Sequence, residues 1–504
     1  MSINRRTFLG AVAAGVATGL TASCTGERSG APPTTMSPLP PTTTSSPPVP
    51  PDWAALRAKL PGGLVLPGED GYDLARRSYN PLFDGRQPAA VAHATRPEDV
   101  QACVEVARAA RMPIAARSGG HSYAGYSTPE GGLVVDLAPM AGVQVRQDGT
   151  AVVGAGARLM TVYSGLADAG RCLPAGSCPT VGIGGLTLGG GIGVLSRKYG
   201  LTCDKLVSAQ IVTADGKLRT ASADAEPDLF WALRGGGGGN FGIVTSFTFA
   251  TDPAPDLTVF SLRFGGGVAD VFGAWQQWIS SAPPELWSNL VISGGSPPTC
   301  RVGGCYVGSQ SGLQPLLNQL LAGTPGPMSQ QVSGKGFLDA MRYFGGCSQR
   351  SIEQCRPESE GGQLGRESFV ASSRILPGPV ADPAAFVSTM DGRGGMDLLL
   401  DSLGGAVSTV DTKATAFPHR TALASAQIYA GADTGTQTTS ATSVAEVRDG
   451  LAAQLGPTGY VNYIDPGLPD WGNAYYGGNL AKLREVAKRY DPDAVFTFPQ
   501  AVPR

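Results

Sequence analysis

The sequence predicts an α+β protein with two differently built regions, and three observations predict it. Helical and strand patterns alternate over about residues 52–252. Short apolar runs such as 257–264 and 300–307 then mark a sheet-rich stretch up to about residue 456. Finally, 71 glycines and 40 prolines among 504 residues point to many turns and close backbone approaches rather than long helical bundles. With 42% hydrophobic and 15% charged residues the chain can bury a sizeable core, and two or three domains are the prior for its length. A net charge of −2 and a pI near 6.0 argue against a basic nucleic-acid-binding surface. His93, His121 and His419 are far apart, in neither an HExxH nor a CxxC context, which argues against a zinc enzyme.

Taken in order, the chain opens with Asn4, Arg5, Arg6, Thr7, Phe8 and Leu9, followed by small and apolar residues to Leu20. That run is shorter than the roughly 20 residues of a membrane span and has the form of an export signal. The twin arginine resembles the signal of proteins that fold before crossing, a route that suits a protein loading a cofactor first. Leu20-Thr21-Ala22-Ser23-Cys24 looks like a lipoprotein cleavage site with its leucine one place early. Two outcomes stay open: membrane attachment through lipidated Cys24, or plain secretion. Either way, the reading is 1–24 as export signal and a cell-envelope or secreted location. Residues 29–51 hold nine prolines, many serines and threonines, no aromatic and no charge. They cannot bury enough apolar surface to offset their ordering entropy, so 25–51 reads as a semi-extended linker.

The folded part begins near Asp52. Thr95-Arg96-Pro97-Glu98 reads as a capping box, and Val100, Cys103, Val104 and Ala107 follow at helical spacing, making Cys103 a core thiol. Strands are expected at 113–116, 133–137 and 206–214, and a helix at 157–169. Leu480, Leu483, Ala487 and Tyr490 mark a last amphipathic helix. Cys300 with Cys305, and Cys347 with Cys355, are close enough for local disulfides; buried free thiols are the alternative for each pair. Trp275, Trp278 and Trp287 read as core rather than as a sugar platform.

The chemistry concentrates in glycine-rich loops. Arg117-Ser118-Gly119-Gly120-His121-Ser122-Tyr123 follows a predicted strand, and its small residues let backbone N–H groups converge on a pyrophosphate. His121 within it is either a nucleophile toward an electrophilic cofactor or a hydrogen-bonded turn residue. A second run, Gly176 to Gly185 continuing through Gly189, Gly190, Gly191 and Gly193, offers backbone able to lie flat against a large planar ligand. The third, Arg234 to Val244, joins a predicted helix to a strand. Three such loops suggest a dinucleotide cradle unlike the Rossmann fingerprint.

RSGGHSY, CPTVGIGG, LRGGGGGNFGIV and the terminal NYID…YYGGN…YDPDAVF, in that order, resemble the berberine bridge enzyme-like branch of the FAD-linked oxidases, over nearly all of 52–504. The resemblance implies a two-domain FAD-linked oxidase fold. In it, 52–254 and 456–504 form the FAD domain, and 255–455 is an inserted substrate domain of antiparallel sheet and helices. It implies FAD attached twice, through His121 and Cys178, and lined by Arg117, Ser118, Gly119, Gly120, Ser122, Thr180, Val181, Gly182, Gly184, Gly185, Gly242, Ile243, Val244, Asn462 and Tyr463. It also implies Tyr463 as the base toward substrate, with a core aromatic as the other reading, and Tyr123 as a pocket tyrosine. Gln427 falls where some relatives place an acidic base, and an amide cannot serve as one; Tyr460 is the next tyrosine to consider. Ile192 replaces a pocket tyrosine of some plant relatives, so their pocket does not transfer whole. Val181 occupies a position where valine accompanies oxidases and leucine dehydrogenases, so dioxygen is the expected oxidant. The function expected is an exported oxidase of an alcohol or of a sugar's anomeric hydroxyl, releasing peroxide. The alternatives are a tailoring oxidase of secondary metabolism and a tethered carbohydrate-binding lipoprotein with a structural flavin.

Overall fold

Four short strands, in the order Leu64–Val65, Ala90–His93, Leu133–Asp136 and Ile114–Arg117, make the first sheet of the computed structural model, which describes residues 48–504. The twin-arginine segment, Cys24 and the linker up to residue 47 lie outside the described residues. Leu133–Asp136 runs parallel to both neighbours and is buried along its whole length, as a central strand covered on both faces must be. Helix Pro97–Ala110 makes the crossover, burying Val100, Cys103, Val104 and Ala107. Its start differs from the expected capping box. Proline takes the first helical position, and Asp99, one residue beyond Glu98, accepts from the Thr95 amide and hydroxyl at 2.8 Å each.

A five-stranded antiparallel sheet follows, in the order Val143–Val145, Thr150–Gly154, Ile243–Ala250, Leu206–Val212 and Leu218–Ser222. Residues from Leu56 to Val259 and from Leu468 to Val502 share one hydrophobic core, so the chain's end returns to pack with its beginning. The last helix, Leu480–Tyr490, buries Leu480, Leu483, Val486, Ala487 and Tyr490 there.

Between them stands a seven-stranded antiparallel sheet, in the order Ser329–Lys335, Leu257–Phe264, Thr299–Val307, Leu286–Ser293, Met396–Ser402, Ala424–Gly431 and Phe369–Leu376. Its period-two alternation decides what faces the site. Met396, Leu398 and Leu400 point into a second core beneath helices Val268–Ser281, Gln310–Leu321 and Gln437–Leu455, as do Ala424, Ala426 and Ile428. Asp397, Leu399 and Asp401, paired with Tyr429, Gln427 and Ser425, therefore occupy the opposite face. Trp275, Trp278 and Trp287 are at most 6% exposed and belong to the packed interior.

The two cysteine pairs differ. Cys347 and Cys355 form a disulfide, with Cα atoms 6.0 Å apart. Cys300 and Cys305 are free. Both lie on Thr299–Val307 at an odd separation, so their side chains leave opposite faces of the strand and enter different cores.

Candidate active site

The glycine loops meet at a cavity of about 900 Å³, at the upper end of the range for ligand pockets. Strand Ile114–Arg117 delivers the first loop, from which Ser118, Gly119, Gly120, His121, Ser122 and Tyr123 line the cavity. The second supplies Cys178, Val181, Gly182, Gly184 and Gly185, and the third Gly237, Gly238, Gly239, Gly242, Ile243 and Val244. The first two loops touch backbone to backbone. A Cβ on Gly119 would stand 2.2 Å from the Gly182 amide nitrogen, and one on Gly182 would stand 2.1 Å from Ser118 Oγ, so only glycine admits this approach. Asn462, Tyr463 and residues 496–500 close the cavity from the chain's end, while Phe369, Asp397, Leu399, Gln427 and Tyr429 face it from the seven-stranded sheet.

Several expected lining residues stand back from it. The Arg117 guanidinium pairs with Asp136 at 2.9 Å and donates to the carbonyls of Ala75 and Arg77, so it braces the strand that carries the loop. Tyr460 is 2% exposed and does not line the cavity, and its hydroxyl accepts from the Gly191 amide and Asn462 Nδ2, each at 2.9 Å. Gly189 to Gly193 pack against protein instead of presenting a flat surface; a Cβ on Gly193 would sit 1.7 Å from the Ala175 carbonyl oxygen. Thr180 lies behind His121 and Cys178.

His121 is held on two sides. Tyr79 stacks on its ring at 3.7 Å between centroids and 17° between planes, and its Nε2 is 3.0 Å from Thr180 Oγ1. The same hydroxyl is 3.4 Å from Cys178 Sγ. Burial, aided by Arg158, pushes the imidazole pKa down to about 3, so the ring is neutral and its free nitrogen keeps a lone pair. Burial pushes the Cys178 thiol up, opposed by hydrogen bonds from Thr180 and Val181.

Facing the sheet, Tyr463 stacks parallel to Tyr123 at 5.5 Å and 5°, with Tyr460 edge-on at 5.1 Å. Gln427 Nε2 donates to the Tyr123 hydroxyl at 2.6 Å, so the amide orients that tyrosine. Removal from water raises Tyr463 well above the ordinary tyrosine range, and the Asp401 carboxylate adds to the shift. Asp401 is itself pushed up to about 6 by burial, against the pull of Arg301. Sequence reasoning missed Asp401, although the alternation of Met396–Ser402 carries the signal: Asp397, Leu399 and Asp401 must share a face. It also missed residues 496–500; Gly237 to Gly239 belong to the third loop the sequence singles out, though not to the lining residues the resemblance implies.

These residues fit FAD. Glycine backbone forms a cradle where side chains would collide, a neutral imidazole and a thiol stand together in it, and the stacked Tyr123, from the same loop as His121, and Tyr463, from the chain's end, line the same cavity. Comparison with known proteins agrees. The family "FAD binding domain" matches residues 88–222, and "Berberine and berberine like" matches 459–503. The uncharacterized FAD-linked oxidoreductase YgaK of Bacillus subtilis is 35% identical over 89% of this chain and 98% of its own. A chitooligosaccharide oxidase of Gibberella zeae is 32% identical over 82% of this chain and 87% of its own. The structure of Physcomitrella patens BBE-like 1 superposes with a TM-score of 0.84 at 32% identity, covering 90% of this chain and 99% of that one.

Proposed function

The chain belongs to the berberine bridge enzyme-like FAD-linked oxidoreductases, and from that premise we propose that it is an exported oxidase of the anomeric hydroxyl of a carbohydrate, with FAD bound covalently through His121 and Cys178. The single observation that carries the reading is the Tyr463–Tyr123 stack on the cavity wall, with the Asp401 carboxylate close enough to act on Tyr463 electrostatically. Likeness to an oligosaccharide oxidase supports the substrate class. Bound in this cradle, FAD would supply the hydride acceptor, with dioxygen as the terminal oxidant and hydrogen peroxide as the co-product. Everything else falls to the protein. Tyr463 takes the substrate's hydroxyl proton as it passes its own to solvent, since a standing phenolate is disfavoured where it sits, and the nearby Asp401 carboxylate strengthens it as a base. Gln427 fixes Tyr123, and Tyr123 with Phe369 and Tyr429 forms an aromatic wall suited to the face of a sugar ring.

A screen reading peroxide release tests the assignment. Aldoses and oligosaccharides with a free reducing end are expected to give peroxide, and their methyl glycosides none; equal turnover of the glycosides contradicts anomeric oxidation. Only the ionised Asp401 carboxylate strengthens Tyr463 as a base, so the rate of flavin reduction should fall as pH drops through about 6. Asp401→Asn should abolish that acid limb and slow reduction by up to about 10²-fold, the low end for a positioned proton-transfer group. Val181→Leu should slow reoxidation in stopped-flow mixing with oxygen while leaving reduction unchanged, because the longer side chain narrows the approach from the second loop.

A further inference from the structure

His121 and Cys178 come from separate loops, yet both side chains meet the same hydroxyl. Thr180 is 3% exposed, and its backbone carbonyl accepts from Arg158 Nη1 at 3.2 Å, so the residue is held in place independently of its hydroxyl. Its Oγ1 lies 3.0 Å from His121 Nε2 and 3.4 Å from Cys178 Sγ. A hydroxyl has one proton to donate and lone pairs to accept with, so it serves both neighbours at once only as a directed chain. One direction suits two nucleophiles: Nε2–H donates to Oγ1, and Oγ1–H donates to Sγ. The first bond selects the imidazole tautomer whose lone pair is on Nδ1, because Nε2 is the ring nitrogen that meets the hydroxyl. The second favours the thiolate, the reactive form of cysteine.

We propose that Thr180 is a positioning residue shared by both flavin attachments, setting the His121 tautomer and stabilising the Cys178 thiolate through a single hydroxyl. This rests on the reading that His121 and Cys178 carry FAD. Each attachment forms one bond, C–N to the 8α-methyl carbon or C–S to C6, in place of one hydrogen on the protein and one on the flavin. The two protons and two electrons released go to dioxygen, which leaves as hydrogen peroxide. At His121 the bond forms at Nδ1 and the proton lost is the one on Nε2, so Thr180 stands on its way out.

The test compares wild type, Thr180→Val and Thr180→Ser as purified holoenzymes sampled over a time course of expression. Flavin released by acid is separated from flavin retained, and peptide mass mapping assigns the retained flavin to His121 or Cys178. Valine keeps the shape and removes the hydroxyl. It is expected to slow attachment at both residues by roughly ten- to a hundredfold, the worth of one hydrogen bond to a charged group, with FAD still bound but released by acid. Serine should restore both bonds, which a merely structural role for the threonine methyl would not do. If Thr180→Val does not fold, Thr180→Ala makes the same removal with no branched side chain to fit. Wild-type attachment in the valine or alanine variant, or a loss confined to one of the two residues, overturns the shared role. A wild type whose flavin is wholly released by acid overturns instead the covalent reading beneath it.

Discussion

Tyr463→Phe is expected to slow anaerobic reduction of the flavin by substrate by roughly 10²–10⁴-fold, the usual worth of a positioned acid or base. The variant keeps the ring that stacks on Tyr123 and meets the edge of Tyr460, so folding and flavin content should survive. Only the hydroxyl goes. An ordinary tyrosine titrates near 10, so holding it ionised at neutral pH costs about 4 kcal/mol before burial is counted. Burial and the Asp401 carboxylate both raise that cost here. Proton transfer concerted with hydride loss avoids the standing charge, and the ionised Asp401 carboxylate strengthens Tyr463 as a base for it. Single-turnover reduction under anaerobic conditions measures the step, and a wild-type rate in the phenylalanine variant would move the base elsewhere, with Tyr123 the next hydroxyl at the cavity wall.

The second large effect is on flavin retention. His121→Ala and Cys178→Ala should each leave one bond to the cofactor, so denatured protein of either variant still carries flavin after acid precipitation. The double variant should release all of it. The two single changes also differ in what they disturb. His121→Ala removes the ring stacked on Tyr79, whereas Cys178→Ala removes only a sulfur at the end of the Thr180 hydroxyl. Absorbance of the acid-washed pellet reads the outcome directly, and flavin retained by the double variant would require a third attachment point.

How far the sequence discloses this site follows from where its information is local. The glycine runs are contiguous, so the cradle is legible in the order of residues alone: Gly119 and Gly182 are glycine because two backbones touch, and that need is written at each position separately. Glycine does not say which backbone approaches it. Gly189 to Gly193 look the same as their neighbours in the chain, yet they pack against protein and Gly237 to Gly239 reach the cavity. Arg117 misleads for a related reason. A charge beside an anion-binding loop reads as a ligand contact, whereas the Asp136 that claims it comes from the adjacent parallel strand. Asp401 is hidden because its role depends on sheet register: strand Met396–Ser402 must pair with Ala424–Gly431 before Asp401 and Gln427 share a face. The Cys300–Cys305 pairing fails on strand alternation, which proximity in sequence ignores.

The most direct measurement is an anaerobic titration of the oxidised holoenzyme with a reducing oligosaccharide, followed by admission of air. One equivalent of sugar per flavin should bleach the flavin absorbance fully, and air should restore it with one equivalent of hydrogen peroxide. Binding without bleaching would make the flavin structural and the protein a carbohydrate-binding one, and bleaching that persists in air would make it a dehydrogenase with another electron acceptor.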